Sequence, residues 1–134
     1  VFYGWIDSVK PVTAERLGSA IFYGDGNGNF SINDLPEGLQ LAPVFSFLKT
    51  KAMNGSNNYL LGGNFFCVIP YEGRYDAQPL NYFQVNKDKS VKFMNQPTLE
   101  GIDGEIRDIK WLKSAKFGKI ILVAINNKKI LFLA

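Results

Sequence analysis

Ile120-Ile121-Leu122-Val123-Ala124-Ile125-Asn126-Asn127 places six apolar residues in a row and stops them with an asparagine pair. No polar residue alternates with the apolar ones, so a strand formed here must be hidden on both faces. Six residues is an ordinary strand length and far too short to cross a bilayer as a helix. Asparagine tolerates positive φ, so Asn126-Asn127 marks a hairpin turn leading into a last strand over residues 129–133. The preceding segment, Glu105-Ile106-Arg107-Asp108-Ile109-Lys110-Trp111-Leu112, is more mixed, as a partly exposed strand would be. Neighbouring antiparallel strands, some covered on both sides, are what stacked sheets provide.

The same alternation of apolar segment and turn runs back along the chain. Strands are expected over residues 1–6, 20–23, 30–32, 43–49, 59–63, 66–69, 81–85 and 91–93, with 105–112, 119–125 and 129–133 completing the series. Gly24-Asp25-Gly26-Asn27-Gly28-Asn29 is a glycine-rich turn between two of them. A short helical pattern covers residues 13–17, where Pro11 and Gly18 confine it to about one turn. The composition agrees with an all-β chain: 11 Phe, 6 Tyr and 2 Trp in 134 residues suit pleated, packed surfaces.

Internal similarity points to the architecture. Displacing the chain by 62 positions sets Val44 on Ile106, Phe47 on Ile109, Leu60 on Leu122, Leu61 on Val123, Asn64 on Asn126 and Val68 on Ile130 (44 to 106, 68 to 130). Displacing it by 61 sets Ile21-Phe22 on Tyr82-Phe83, Asp25 on Asn86 and Phe30 on Val91 (21 to 82, 30 to 91). A unit of this size with several antiparallel strands fits a propeller blade with a long loop. The expectation is a segment of a β-propeller, with about two four-stranded antiparallel blades and part of a third. Residues 1–20 end a preceding blade, 21–81 form one blade and 82–134 the C-terminal one; a β-sandwich is the alternative. Two blades cannot close a ring, so their flanks need the remaining blades of the same protein.

Other features narrow the chemistry. There is no histidine, which removes the commonest general base and metal ligand. Cys67 is the only cysteine, so no internal disulfide forms, and its apolar surroundings (Phe65, Phe66, Val68, Ile69) predict a small buried hydrophobe. The net charge of +3 is spread along the chain without a concentrated basic stripe, so no nucleic-acid partner is expected. No segment is long and apolar enough for a transmembrane helix.

Several short stretches resemble a known group. Asp25-Gly26-Asn27-Gly28-Asn29-Phe30 resembles the turn of FG-GAP/VCBS-type repeats. Gly62-Gly63-Asn64 with Gly73-Arg74-Tyr75-Asp76-Ala77, then Gly104-Glu105-Ile106-Arg107-Asp108-Ile109, then Leu122-Val123-Ala124 with Asn126-Asn127, are similar in order to the C-terminal part of long VCBS-repeat proteins of bacterial cell envelopes. Asn86-Lys87-Asp88-Lys89-Ser90 stands where the family prefers a glycine-rich turn, and Ile125 stands where it has Arg. The resemblance implies a seven- or eight-bladed integrin-like propeller that is exported to the outer-membrane or extracellular surface. It implies a non-catalytic binding or scaffold role towards a protein or glycan, or alternatively an accessory subunit of an outer-membrane transport assembly. A further alternative is the non-catalytic part of a propeller hydrolase or lyase.

Within that frame, Trp5, Tyr71, Tyr75 and Tyr82 are candidate ligand-stacking aromatics, because an amphipathic ring can lie on a sugar or anchor a protein interface. Arg74 and Asp76 alternate with Glu72 and supply polar contacts or a charge network that pins the loop. No catalytic residue is assigned, since neither a nucleophile nor a partner base accompanies them. Asp25, Asn27 and Asn29 alternate as the first oxygen ligands of a calcium loop would, and Ca²⁺ is the only cofactor the pattern suggests. Phe30 and Pro36 fall where such a loop needs Gly and Glu, so a plain hairpin turn is the favoured reading of the stretch.

Overall fold

A computed structural model describes residues 9–51, 56–69, 71 and 73–134. The strand expected over residues 1–6 lies outside them. Among the described residues there are nine strands: β1 (Ala20–Gly24), β2 (Phe30–Asp34), β3 (Val44–Lys49), β4 (Asn57–Gly63), β5 (Asn81–Val85), β6 (Val91–Met94), β7 (Ile106–Ser114), β8 (Gly118–Ile125) and β9 (Leu131–Leu133). They form three antiparallel sheets, each built from consecutive strands: β1-β2, β3-β4-β5-β6 and β7-β8-β9. Short 3-10 turns at Glu37–Leu39 and Pro97–Leu99 lead out of the first and second sheets. No described helix is long and apolar enough to cross a membrane.

The chain is all-β, as its turn chemistry predicts, but particular expectations change. Residues 13–17 are not helical, because one turn bracketed by Pro11 and Gly18 fixes more backbone than its few hydrogen bonds repay. Residues 66–69 form no strand: Asn64 takes φ 78° and swings the chain out of β4. As a result Cys67, expected to be buried, is exposed. The expected division between residues 81 and 82 falls inside β5, so the four-stranded sheet runs across it.

The central strands of the middle sheet, β4 and β5, are covered on both sides, while Phe47 and Phe93 on the flanking strands are exposed. Adjacent β4 residues point to opposite faces, and both Leu60 (3% exposed) and Leu61 (1%) are buried. Leu60 joins Ile106, Ile109, Val123 and Ile125 in a core shared with the third sheet. Leu61 joins Phe83, Val85, Leu35 and Leu39, with Ile21 and Tyr23 of the first sheet packed against them. Contact with the third sheet is close: a Cβ on Gly62 would come within 2.5 Å of the Ile106 side chain. Polar bonds cross the same junction. Ser46 Oγ donates to Asp108 Oδ1 at 3.2 Å and accepts from the Ile109 N–H at 3.0 Å. Trp111 Nε1 donates to the Lys49 carbonyl at 3.0 Å.

Strand registers recur along the chain. In β3–β4, Val44 faces Gly63, a bulge follows, and Ser46 faces Gly62. In β7–β8, 62 positions on (44 to 106, 63 to 125), Ile106 faces Ile125, a bulge follows, and Asp108 faces Ala124. The pairs Ile21↔Asn33 through Gly24↔Phe30 of β1–β2 match Tyr82↔Met94 through Val85↔Val91 of β5–β6, displaced by 61 positions (21 to 82, 33 to 94). Even the turns correspond, since Asp25 N–H donates to the Asn29 carbonyl and Asn86 N–H to the Ser90 carbonyl. Lys89, at φ 67°, holds the left-handed position that Gly28 fills at φ 91°. The two turns differ in composition, while the closing bond and the left-handed position stay the same.

Candidate loop-end site

Antiparallel connectivity sorts the loops to two ends. The 64–80 connection and the segment before β7 meet at one end, where Asn64 Nδ2 donates to the Gly104 carbonyl at 3.2 Å. The turns at residues 25–29 and 86–90 meet at the other, where Lys89 Nζ donates to Ser31 Oγ at 3.2 Å and sits 5.0 Å from the Tyr23 ring centroid. The candidate ligand loop and the candidate calcium turn therefore lie at opposite ends.

The 64–80 loop has a rigid root. Asn64 and Gln78 are buried, and Asn64 Oδ1 accepts from the Gln78 N–H at 2.7 Å. Gln78 Oε1 accepts in turn from the Leu41 N–H at 3.3 Å. Glu105, also buried, is the electrostatic hub. Its Oε1 accepts from the Phe66 N–H at 3.0 Å and from Arg107 at 2.6 Å, and its Oε2 accepts from Asn126 Nδ2 at 2.7 Å. The Phe66 N–H and then the Asn126 amide hold its carboxyl below the usual range against the opposing effect of burial, with Arg107 and Arg74 adding to the lowering.

Above that root sits a group of rings and guanidinium planes. Arg107 lies 4.4 Å from the Phe45 centroid and 5.8 Å from that of Phe65. Arg74 lies 4.9 Å from the Phe66 centroid. Phe65 and Tyr75 exchange both backbone hydrogen bonds, at 2.8 and 3.0 Å, so the loop doubles back as a one-pair ladder. Tyr71, at its outer turn, is 82% exposed. A cation over one face of a ring leaves the opposite face for stacking, and Arg supplies planar donors beside it.

Of the expected residues, Tyr71, Arg74, Tyr75 and Asp76 do share this loop. Arg74 packs on Phe66, and among the described residues it forms no ion pair with Asp76. Tyr82 belongs elsewhere: it lies on β5 and packs into the core between the second and third sheets, because its register opposite Leu60 turns it inward. Trp5 and Glu72 lie outside the described residues. Phe45, Phe65 and Glu105 carry no sign of a shared site in the sequence beyond the opposite charges of Glu105 and Arg107 two positions apart.

At the other end, Asp25 Oδ1 accepts from the N–H groups of Asn27 (2.7 Å) and Asn29 (3.1 Å), and Oδ2 from Asn29 Nδ2 (2.8 Å). The Asn29 side chain and then the Asn27 N–H lower its pKa. Both carboxylate oxygens are thus committed to the turn, and a calcium ion would have to displace those donors. Gly26 (φ 83°) and Gly28 (φ 91°) supply the left-handed backbone that the turn needs. Among the described residues, no group of three or more Cys, Asp or Glu is placed to hold a metal ion.

The Glu105 hub makes stability acid-sensitive. A carboxyl with a depressed folded pKa contributes stability above its unfolded value, about 4.3, and loses it as pH falls through the folded pKa. Urea midpoints followed from neutral pH to pH about 3 should fall for the native chain across that window. Glu105→Gln should start lower at neutral pH and change less; parallel profiles would remove Glu105 from the account.

The fold and this loop define a class: an all-β chain of stacked antiparallel sheets with an aromatic and arginine cluster at one end. No protein-family model matches the chain, and neither a curated protein nor a solved structure does.

Proposed function

We propose that the three sheets are successive blades of an FG-GAP/VCBS-type propeller, and that the chain is a non-catalytic binding module engaging glycan or protein through the 64–80 loop. On this reading β3 to β6 form a complete blade, β1-β2 are the outer half of the one before, and β7 to β9 begin the next. The recurring registers support the blade assignment. So do the outermost faces, where Phe22 (61% exposed) and Phe30 (68%) on one side and Phe132 (59%) on the other await neighbouring blades. Placement at the cell-envelope surface belongs to the same proposal and rests on the sequence resemblance.

One observation carries the binding role. β4 and β5 pair Leu60 with Tyr82 as β8 and β9 pair Leu122 with Phe132, yet 64–80 separates the first pair of strands and only 126–130 the second. The longer connection is an insertion into an otherwise repeated unit, and it brings Tyr71, Arg74 and Tyr75 to the surface over a buried polar root. Insertions on a rigid scaffold are where recognition residues concentrate.

A glycan array probed with the labelled chain, followed by affinity measurement on the best polysaccharide, tests the proposal. Replacing Tyr71, Arg74 and Tyr75 together with Ala should weaken binding by at least about thirtyfold, the loss expected of one true anchor. Asp25→Ala, at the far end, should leave affinity unchanged. The proposal fails if the triple variant binds as well as the native chain.

A further inference from the structure

Lysines that lie scattered along the sequence are gathered by the fold at one end. Trp111 Nε1 donates to the carbonyl of Lys49, its counterpart 62 positions earlier (49 to 111), so β7 and β3 run side by side at matching heights. The β7–β8 turn therefore joins the turns at 25–29 and 86–90, opposite the 64–80 loop. Segments 49–51, 87–92 and 113–119 hold eight lysines there, all exposed, against two carboxylates in the turns, Asp25 and Asp88. The connections at the opposite end, 35–43, 64–80, 95–105 and 126–130, reverse the balance with six carboxylates and three cations. Among the described residues none of the eight lysines forms an ion pair, whereas Arg107 and Lys128 at the opposite end do.

Two features go beyond a solvated charged surface. Lys113 and Lys119 sit directly opposite each other across β7–β8, where like charges repel and cost stability. Lys119 packs 4.1 Å from the Trp111 ring centroid, which holds its ammonium in place. The same hairpin pairs three positions beyond Trp111↔Ile121, the equivalent of the last β3–β4 pair, Lys49↔Tyr59 (49 to 111, 59 to 121). Those extra pairs carry its turn about 10 Å farther along the strand. At the tip Phe117 is 62% exposed, with Lys116 Nζ 5.0 Å from its ring centroid.

The chemistry of these groups selects a partner. Every cation in the three segments is lysine, a hydrated point charge without the planar fork that lets arginine grip one phosphate or carboxylate. Such a group matches a broad field of negative charge better than a single anion. An anionic bilayer offers that field together with an apolar boundary for an exposed ring, whereas a soluble polyanion offers the field alone. We propose, independently of the blade reading, that this lysine-rich end docks on an anionic phospholipid surface, with Phe117 entering the headgroup boundary. The 64–80 loop then points away from the membrane.

Cosedimentation of the 134-residue chain with vesicles is the test, using phosphatidylcholine alone and phosphatidylcholine mixed with phosphatidylglycerol. The native chain should bind the mixed vesicles, ignore the neutral ones and release as salt is raised. Lys113→Gln with Lys119→Gln should weaken binding about thirtyfold, the loss expected of two lysines at a charged surface. Phe117→Ser should weaken it about tenfold. Lys128→Gln with Lys129→Gln removes the same charge from the opposite end and should change nothing. The urea midpoint of the first variant should equal or exceed the native one, because a repulsion is gone. If circular dichroism shows it unfolded, Lys87→Gln with Lys116→Gln, both in turns, replaces it. The proposal is overturned if the native chain ignores the mixed vesicles, if the two double variants lose affinity alike, or if Phe117→Ser binds as the native chain does. Binding to dextran sulfate without binding to vesicles also overturns it, and assigns this end to a soluble polyanion. Glycan binding through 64–80 is measured separately, so either result stands without the other.

Discussion

Leu60→Ala and Leu61→Ala should each destabilise the chain by about 2–5 kcal/mol, the range for removing a large aliphatic side chain from a close-packed core. The two residues are adjacent on β4 and point in opposite directions, Leu60 towards the third sheet and Leu61 towards the first. In an open sheet one of them would face water, and its truncation would cost a few tenths of a kcal/mol. Urea denaturation of both variants distinguishes the cases. Two large losses of similar size mean that both faces are covered. One large and one negligible loss would mean that one intersheet junction does not form.

Gly63→Ala is expected to be comparably damaging, at about 3 kcal/mol, although it adds a single methyl group. A Cβ at Gly63 would overlap the carbonyl of Pro43, which is backbone and cannot rotate away. Relief requires the start of β3 to leave β4, breaking the Val44↔Gly63 pairing just before the bulge and the bond from the Asn64 N–H to the Pro43 carbonyl. Asn64 roots the 64–80 loop, so the same change should loosen that loop. Amide hydrogen exchange at Phe65 and Tyr75 should rise in step with the drop in stability. A fall in stability with unchanged exchange at the loop would show that the root and the bulge are independent.

Much of the strand order was legible because local chemistry decides it. The glycines at 26 and 28, the asparagines at 126 and 127 and the apolar runs between turns act within a few residues. The misreadings come from choices made at longer range. Residues 65–69 have strand composition, but the left-handed turn at Asn64 precedes them, and the run becomes a loop with Cys67 outside. Tyr82 has the same chemistry as Tyr71, yet pairing opposite Leu60 turns it inward. The expected division between residues 81 and 82 falls inside one sheet because displacements of 61 and 62 positions say how far apart equivalent strands lie, and leave open which four share a sheet. The ring and guanidinium cluster was the least legible part. Phe45, Phe65 and Arg107 come from three separate segments, and only folding brings them together.

The claim on which the rest depends is that three sheets lie side by side, with the middle one packed against a neighbour on each face. Methyl-resolved nuclear Overhauser spectroscopy of the chain measures this directly. Leu60 methyls should show contacts into the group containing Ile109 and Val123, and Leu61 methyls into the group containing Leu39 and Ile21, with no shared intersheet partners. If both leucines report the same partners, or if either shows none beyond its own sheet, the stacked arrangement is wrong.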